Sequence, residues 1–141
     1  MYVRWVVRKH KNAGTADVSF HDAYLVESYR ADRGVPRQRT VCYLGNIREI
    51  GGEFRPVERE LFLSRAAAII RSEPQVPIEE RERIMSLLHQ KVPDLTAAEV
   101  EIAFLNNLRW YCHWRYRHGD PPTQDDLIQL IRNATLNLDV I

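Results

Sequence analysis

The sequence predicts an α+β protein: an N-terminal three-stranded antiparallel sheet followed by about four helices. Three observations carry this. Met1 to Lys9 and Arg37 to Leu44 alternate with the two-residue period of a strand, and from Pro56 onward the apolar residues take up the wider spacing of a helix. Gly51 and Gly52 lie in the stretch Asn46 to Arg55, a linker between the two regimes. The organisation expected is a basic β-meander over residues 1–48 and a helical region over 56–141, either distinct or joined with the sheet in one compact domain.

The first strand, MYVRWVVRK, sets Val3, Trp5 and Val7 on one face and Arg4, Val6 and Arg8 on the other, which gives it a core side and a basic side. Lys11 to Asp17, with Asn12 and Gly14, makes a loop. The second strand, Tyr24 to Arg30, contains Tyr and Val with no Gly or Pro, as a half-buried strand requires. Ala31 to Pro36 then turns the chain: Asp32 can bond its own backbone, Gly34 can take positive φ, and Pro36 opens the returning strand. In that strand Arg37, Arg39, Val41 and Tyr43 share one side and Gln38, Thr40, Cys42 and Leu44 the other. A meander with Val3, Trp5, Val7, Cys42 and Leu44 on the core side places Arg4, Arg8, Arg37 and Arg39 together on the outer face. The middle strand resists this pattern. Leu25 and Tyr29 call for the core while Glu27 lies between them on the same face, and a bulge or an exposed sheet edge would resolve the conflict.

Pro56 at a first helical position, Glu58 and Glu60 in the first turn, and Leu61, Ala68 and Ile69 along one side predict a helix to about Ser72. A second is expected from Ile78 to Gln90, with Ile84, Leu87 and Leu88 as its apolar stripe. Thr96 with Glu99 forms a capping-box pattern opening a third helix to about His118, one broad side of which is expected to be buried. Thr123 with Asp126 repeats the pattern before a short last helix bearing Leu127, Ile128, Leu130 and Ile131. The tail Leu136 to Ile141 is apolar without helical spacing and suits an added strand or a dimer contact.

The run from Val26 to Gly45, with VESYR, a turn holding Gly34, then PRQRTV and LG, resembles the N-terminal segment of bacterial insertion-sequence transposases of the DDE type, over roughly residues 1–49. Such enzymes open with a basic strand and reach their catalytic domain only later. The resemblance implies a recognition or positioning module. It brings no catalytic acids with it, because the chain after Glu49 reads as helices where the RNase H-like catalytic fold needs alternating strands.

Bulk charge is neutral in effect, a net of +1, but unevenly placed. Residues 1–48 hold nine Lys and Arg against four Asp and Glu, a balance of +5 that leaves −4 for the remainder. Such asymmetry hints at a nucleic-acid face on the N-terminal part. The candidate DNA-binding residues are Arg4, Arg8, Arg30, Arg37 and Arg39 on the sheet, with Lys9, His10 and Lys11 at a strand end to hold phosphates. The bland reading of the same arginines is a solvated strand face.

Other chemistries find little support. Cys112 and His113 point to different sides of a helix, and no paired-cysteine spacing occurs, so no metal and no cofactor is expected. The acids Glu79, Glu80, Glu82, Asp125 and Asp126 sit at helix starts, where they complement the helix dipole, and no catalytic residue is assigned. Trp110, Tyr111, Trp114 and Tyr116, interleaved with Arg109, Arg115 and Arg117, read more readily as core aromatics under arginine stems than as a base-stacking platform. Without a leader or a long apolar run, a cytoplasmic protein with reduced Cys42 and Cys112 is expected. The function expected is therefore a non-catalytic protein that contacts duplex DNA through basic sheet residues, as a homodimer if the helices join two copies. The alternative is a protein–protein interaction or dimerisation module that binds no nucleic acid.

Overall fold

The computed structural model describes residues 1–9 and 17–136 and divides the chain into two compact units, Met1–Ala97 and Ala98–Ile141. In the first, β1 (Tyr2–Lys9), β2 (Val18–Arg30) and β3 (Pro36–Ile50) form one antiparallel sheet in the order β1-β2-β3, so the expected meander is present. The strands are longer than the local sequence signals suggest. β2 begins at Val18, before any aromatic-rich stretch, and β3 runs through the expected linker to Ile50, where Gly51 and Gly52 take φ of 61° and 81° and turn the chain.

Register decides which face each side chain takes. Ala23 lies opposite Trp5 on one side and Gly45 on the other, and Leu25 lies opposite Val3 and Cys42. Two irregularities interrupt the β2–β3 ladder, between Ala23 and Tyr24 and between Leu25 and Val26; Leu44 and Val41 are the extra residues of β3 at these points. Each bulge shifts β3 by one position against β2, and a shift by one sends the following side chains to the opposite face. The conflict in the middle strand is resolved differently, by where the core ends. Leu25 is buried in the core, while Glu27 and Tyr29, on the same face, lie beyond its end.

α1 (Pro56–Ser72) packs on β3, and α2 (Ile78–Lys91) on α1 and β1. Ala23, Leu25, Leu44 and Ile47 of the sheet meet Phe62, Leu63, Ala66 and Ile70 of α1 and Ile84 and Leu88 of α2, with Val3 and Trp5 partly buried against them. α1 turns a different side inward from the one expected: Leu61 and Ala68 are exposed, and Phe62, Leu63, Ala66 and Ile70 form the buried line. Val7 is also exposed, although its strand period puts it on the core face; it lies near the end of β1, at the edge of the sheet. Arg59 is buried and its guanidinium donates to the carbonyls of Pro93 and Asp94, at 3.0 and 3.4 Å, which ties the segment after α2 to α1.

In the second unit, α3 (Ala97–Arg117) and α4 (Gln124–Thr135) are joined by a turn in which Gly119 has a φ of 76°. The cap of α4 is as expected. Thr123 accepts from the Asp126 amide at 3.1 Å, and the Asp126 carboxylate accepts from the Thr123 amide at 3.0 Å. The expected broad buried side of α3 is not found: the helix has no buried residue. Leu136 is exposed, and residues 137–141, on which the expected tail strand or contact falls, lie outside the described residues.

Candidate nucleic-acid interface

β1 stops pairing at Tyr2 opposite Val26, whereas β2 and β3 continue as a two-stranded ribbon from Glu27–Arg30 to Pro36–Arg39. Every residue from Ser28 to Thr40 is exposed except Ala31, which is half-buried. The tip is closed by the Gly34 amide donating to the Ala31 carbonyl at 3.1 Å and the Ala31 amide donating to that of Val35 at 2.9 Å. The ribbon carries Arg30, Arg33, Arg37 and Arg39 against Glu27 and Asp32. A two-stranded ribbon has the width to enter a major groove, with its arginines reaching base edges and phosphates.

The arginines do not share one face as the alternation of β3 alone suggests. Residues directly opposite in an antiparallel pair project to the same side. Arg4 lies opposite Tyr24 and Arg8 opposite Phe20, on the face turned away from α1 and α2. Arg39 lies opposite Glu27 and Arg37 opposite Tyr29, on the other face, because the extra residue at Val41 separates them from Tyr43. Arg30, two positions beyond Ser28, returns to the side of Arg4, and its guanidinium donates to the Gly34 carbonyl at 2.9 Å. The expected single outer face with Arg4, Arg8, Arg37 and Arg39 is thus split, with the ribbon gathering Arg30, Arg37 and Arg39 around both of its sides.

Arg8 is engaged within the sheet. Its Nε donates to Asp22 Oδ2 at 2.6 Å, and the Tyr43 hydroxyl donates to Asp22 Oδ1 at 2.7 Å. Asp22 is buried, and the Arg8 hydrogen bond holds its carboxyl below the usual carboxylate range against the opposing effect of burial, with help from Tyr43 and Asn46. Burial, then the Asp22 carboxylate, pushes the Tyr43 phenol up to about 12. The guanidinium groups of Arg4 and Arg8 also lie over the Tyr24 and Phe20 rings, 5.4 and 5.5 Å from their centroids, so this face is braced as well as basic. Lys9 is exposed opposite Ser19 at the end of β1. His10 and Lys11 lie outside the described residues.

Arg33, at the ribbon tip, was not singled out by its sequence pattern, although its place beside Gly34 in a turn is the available signal. It is the one positive-φ non-glycine among the described residues, at 66°. Among the described residues no group of three or more His, Cys, Asp or Glu side chains is arranged to hold a metal ion, and no helix is long and apolar enough to cross a membrane.

Residues 7–72 match the family described as IS1634 family transposase, N-terminal domain. The matched stretch runs from the end of β1 to the last residue of α1, and so takes in the whole ribbon and the first helix packed on the sheet. The stretch is similar to a transposase N-terminal domain, and the resemblance carried by VESYR and PRQRTV falls inside it. The match is to an N-terminal region, not to a catalytic one. No curated protein and no solved structure matches the chain.

Proposed function

We propose that the N-terminal unit is a non-catalytic DNA-contacting module of a mobile-element protein, and that the β2–β3 ribbon is the part that meets duplex DNA. The projecting basic ribbon is the observation that carries this reading. Its side chains extend past β1, and Arg33 and Arg37 have no ion-pair partner among the described residues. The match to a transposase N-terminal domain supports it. Arg33, Arg37 and Arg39 are assigned to the DNA, with Arg30 shaping the tip. Arg4 and Lys9 form a secondary basic edge, and Arg8 serves to hold Asp22.

The test is a titration of duplex DNA at two salt concentrations with the parent chain, the double variant Arg37→Ala plus Arg39→Ala, and Arg4→Ala. Each lost phosphate contact reduces the slope of log affinity against log salt by about 0.9. The double variant should lose affinity and about two units of slope by that rule, while Arg4→Ala changes little. Equal binding by parent and double variant removes the ribbon from the interface. The alternative, a protein-contact module, is favoured by a separate observation on α3.

A further inference from the structure

α3 is apolar on several sides yet encloses none of its residues. Val100, Phe104, Trp110 and Trp114 are between 41% and 63% exposed, a degree of exposure that an apolar helix sustains only when something covers it. These four, with exposed Asn107, follow one another at intervals of four, three, three and four residues, and therefore lie along one line of the helix. The order of spacings is the same from either end, with Asn107 at its centre. Charge reverses about the same residue: within α3, Glu99 and Glu101 precede Asn107, and Arg109, Arg115 and Arg117 follow it.

We propose that this line is the contact between two copies of the chain, α3 packing antiparallel on α3 about a two-fold axis at Asn107. In such an arrangement residue i meets j and j meets i. Val100 then faces Trp114 of the second copy, Phe104 faces Trp110, and Asn107 faces its own counterpart. Small opposes large at the ends, and the central amides, each both donor and acceptor, can bond one another and fix the register. The acidic half of each helix lies beside the basic half of the other, with Glu99 on the flank of Arg117.

A parallel pair would bring like charges together. A single-stranded nucleic acid stacked on Trp110 and Trp114 would account for the basic half alone, since Glu99 and Glu101 beside Val100 and Phe104 would repel its phosphates. The proposal stands apart from the ribbon's contact with DNA, although two copies would present two ribbons.

The test uses the full chain with Cys42 and Cys112 replaced by Ala. Under mild oxidation Asn107→Cys should form a disulfide-linked dimer on a non-reducing gel. Val100→Cys alone should not, because in the antiparallel pair the two copies of that position are about 21 Å apart along the axis and a disulfide spans at most about 7 Å between Cα atoms. Mixed Val100→Cys and Trp114→Cys chains should cross-link. By sedimentation the parent should have twice the monomer mass, and Phe104→Glu plus Trp110→Glu should have the monomer mass with its helical circular dichroism retained. The ribbon double variant should remain dimeric, which separates this outcome from failure of the DNA reading. A parent that is monomeric at every concentration, self-linking by Val100→Cys, or a monomer shifted by a single-stranded oligonucleotide overturns the proposal.

Discussion

Arg39 faces Glu27 across the ribbon, and its Nε and Nη2 both donate to Glu27 Oε2, at 2.9 and 2.7 Å. The pair exists because one extra residue, Val41, turns Arg39 away from the side of Tyr43. It fixes the facing of the arginine while neutralising part of the ribbon's charge.

Replacing Glu27 by Gln should therefore release Arg39 for phosphate. Duplex affinity should rise several-fold at low salt because Glu27 no longer competes with phosphate for Arg39, while the salt slope stays near the parent's, in which Arg39 is already a phosphate contact. An exposed ion pair contributes about 0.2–1 kcal/mol, so the urea midpoint should move little. An unchanged titration would show that Arg39 does not reach DNA.

Arg33 holds a left-handed backbone that a side chain disfavours by about 1–2 kcal/mol. Arg33→Gly should stabilise the tip by up to about that amount and still weaken DNA binding. The opposite movement of thermal midpoint and affinity, measured on one sample, separates the residue's contact role from its structural one.

Two buried groups make stability depend on pH in different windows. Burial first, then the nearby Lys91 charge, lowers the pKa of His21, whose ring meets Phe54 edge-on at 4.9 Å. A lowered folded pKa means that the unfolded chain takes up the proton first. The stabilisation is complete above the unfolded value of about 6.5 and erodes as pH falls from there toward the folded one. Asp22 follows the same sign lower down: its contribution is present above an unfolded value of about 3.9 and is lost as pH falls through its depressed folded value. His21→Gln should flatten the dependence of urea stability on pH between about pH 5 and 7, leaving the more acidic loss in place. A slope equal to the parent's would remove His21 as its source.

Leu44, an extra residue at a bulge, is fully buried in the core shared by the sheet, α1 and α2. Leu44→Ala should cost about 2–5 kcal/mol, as cavity-forming substitutions do. Thr123→Ala should cost about 1 kcal/mol through loss of the α4 cap. Amide hydrogen exchange distinguishes the two: the first variant should lose protection in β2 and β3, the second in α4.

Local signals reached far in this chain. Pro56 and the acid at Glu58 locate the start of α1, Thr123 and Asp126 the start of α4, and Asp32, Gly34 and Pro36 the ribbon turn, because each acts within a few residues of itself. The inward side of α1 was less legible. Leu61 and Phe62 are both apolar neighbours on a helix, and only the sheet beneath selects Phe62. α3 misled more strongly, since its apolar residues signal burial without saying what buries them.

The sequence by itself determined the number and kind of elements, the meander, and the presence of a basic hairpin. It could do so because period, turn chemistry and capping are properties of short segments. Only the tertiary structure decided where each arginine faces and which of them is bound. Facing depends on the pairing of β3 with β2, and two unpaired residues, Leu44 and Val41, alter that pairing without leaving a mark in the alternation of either strand.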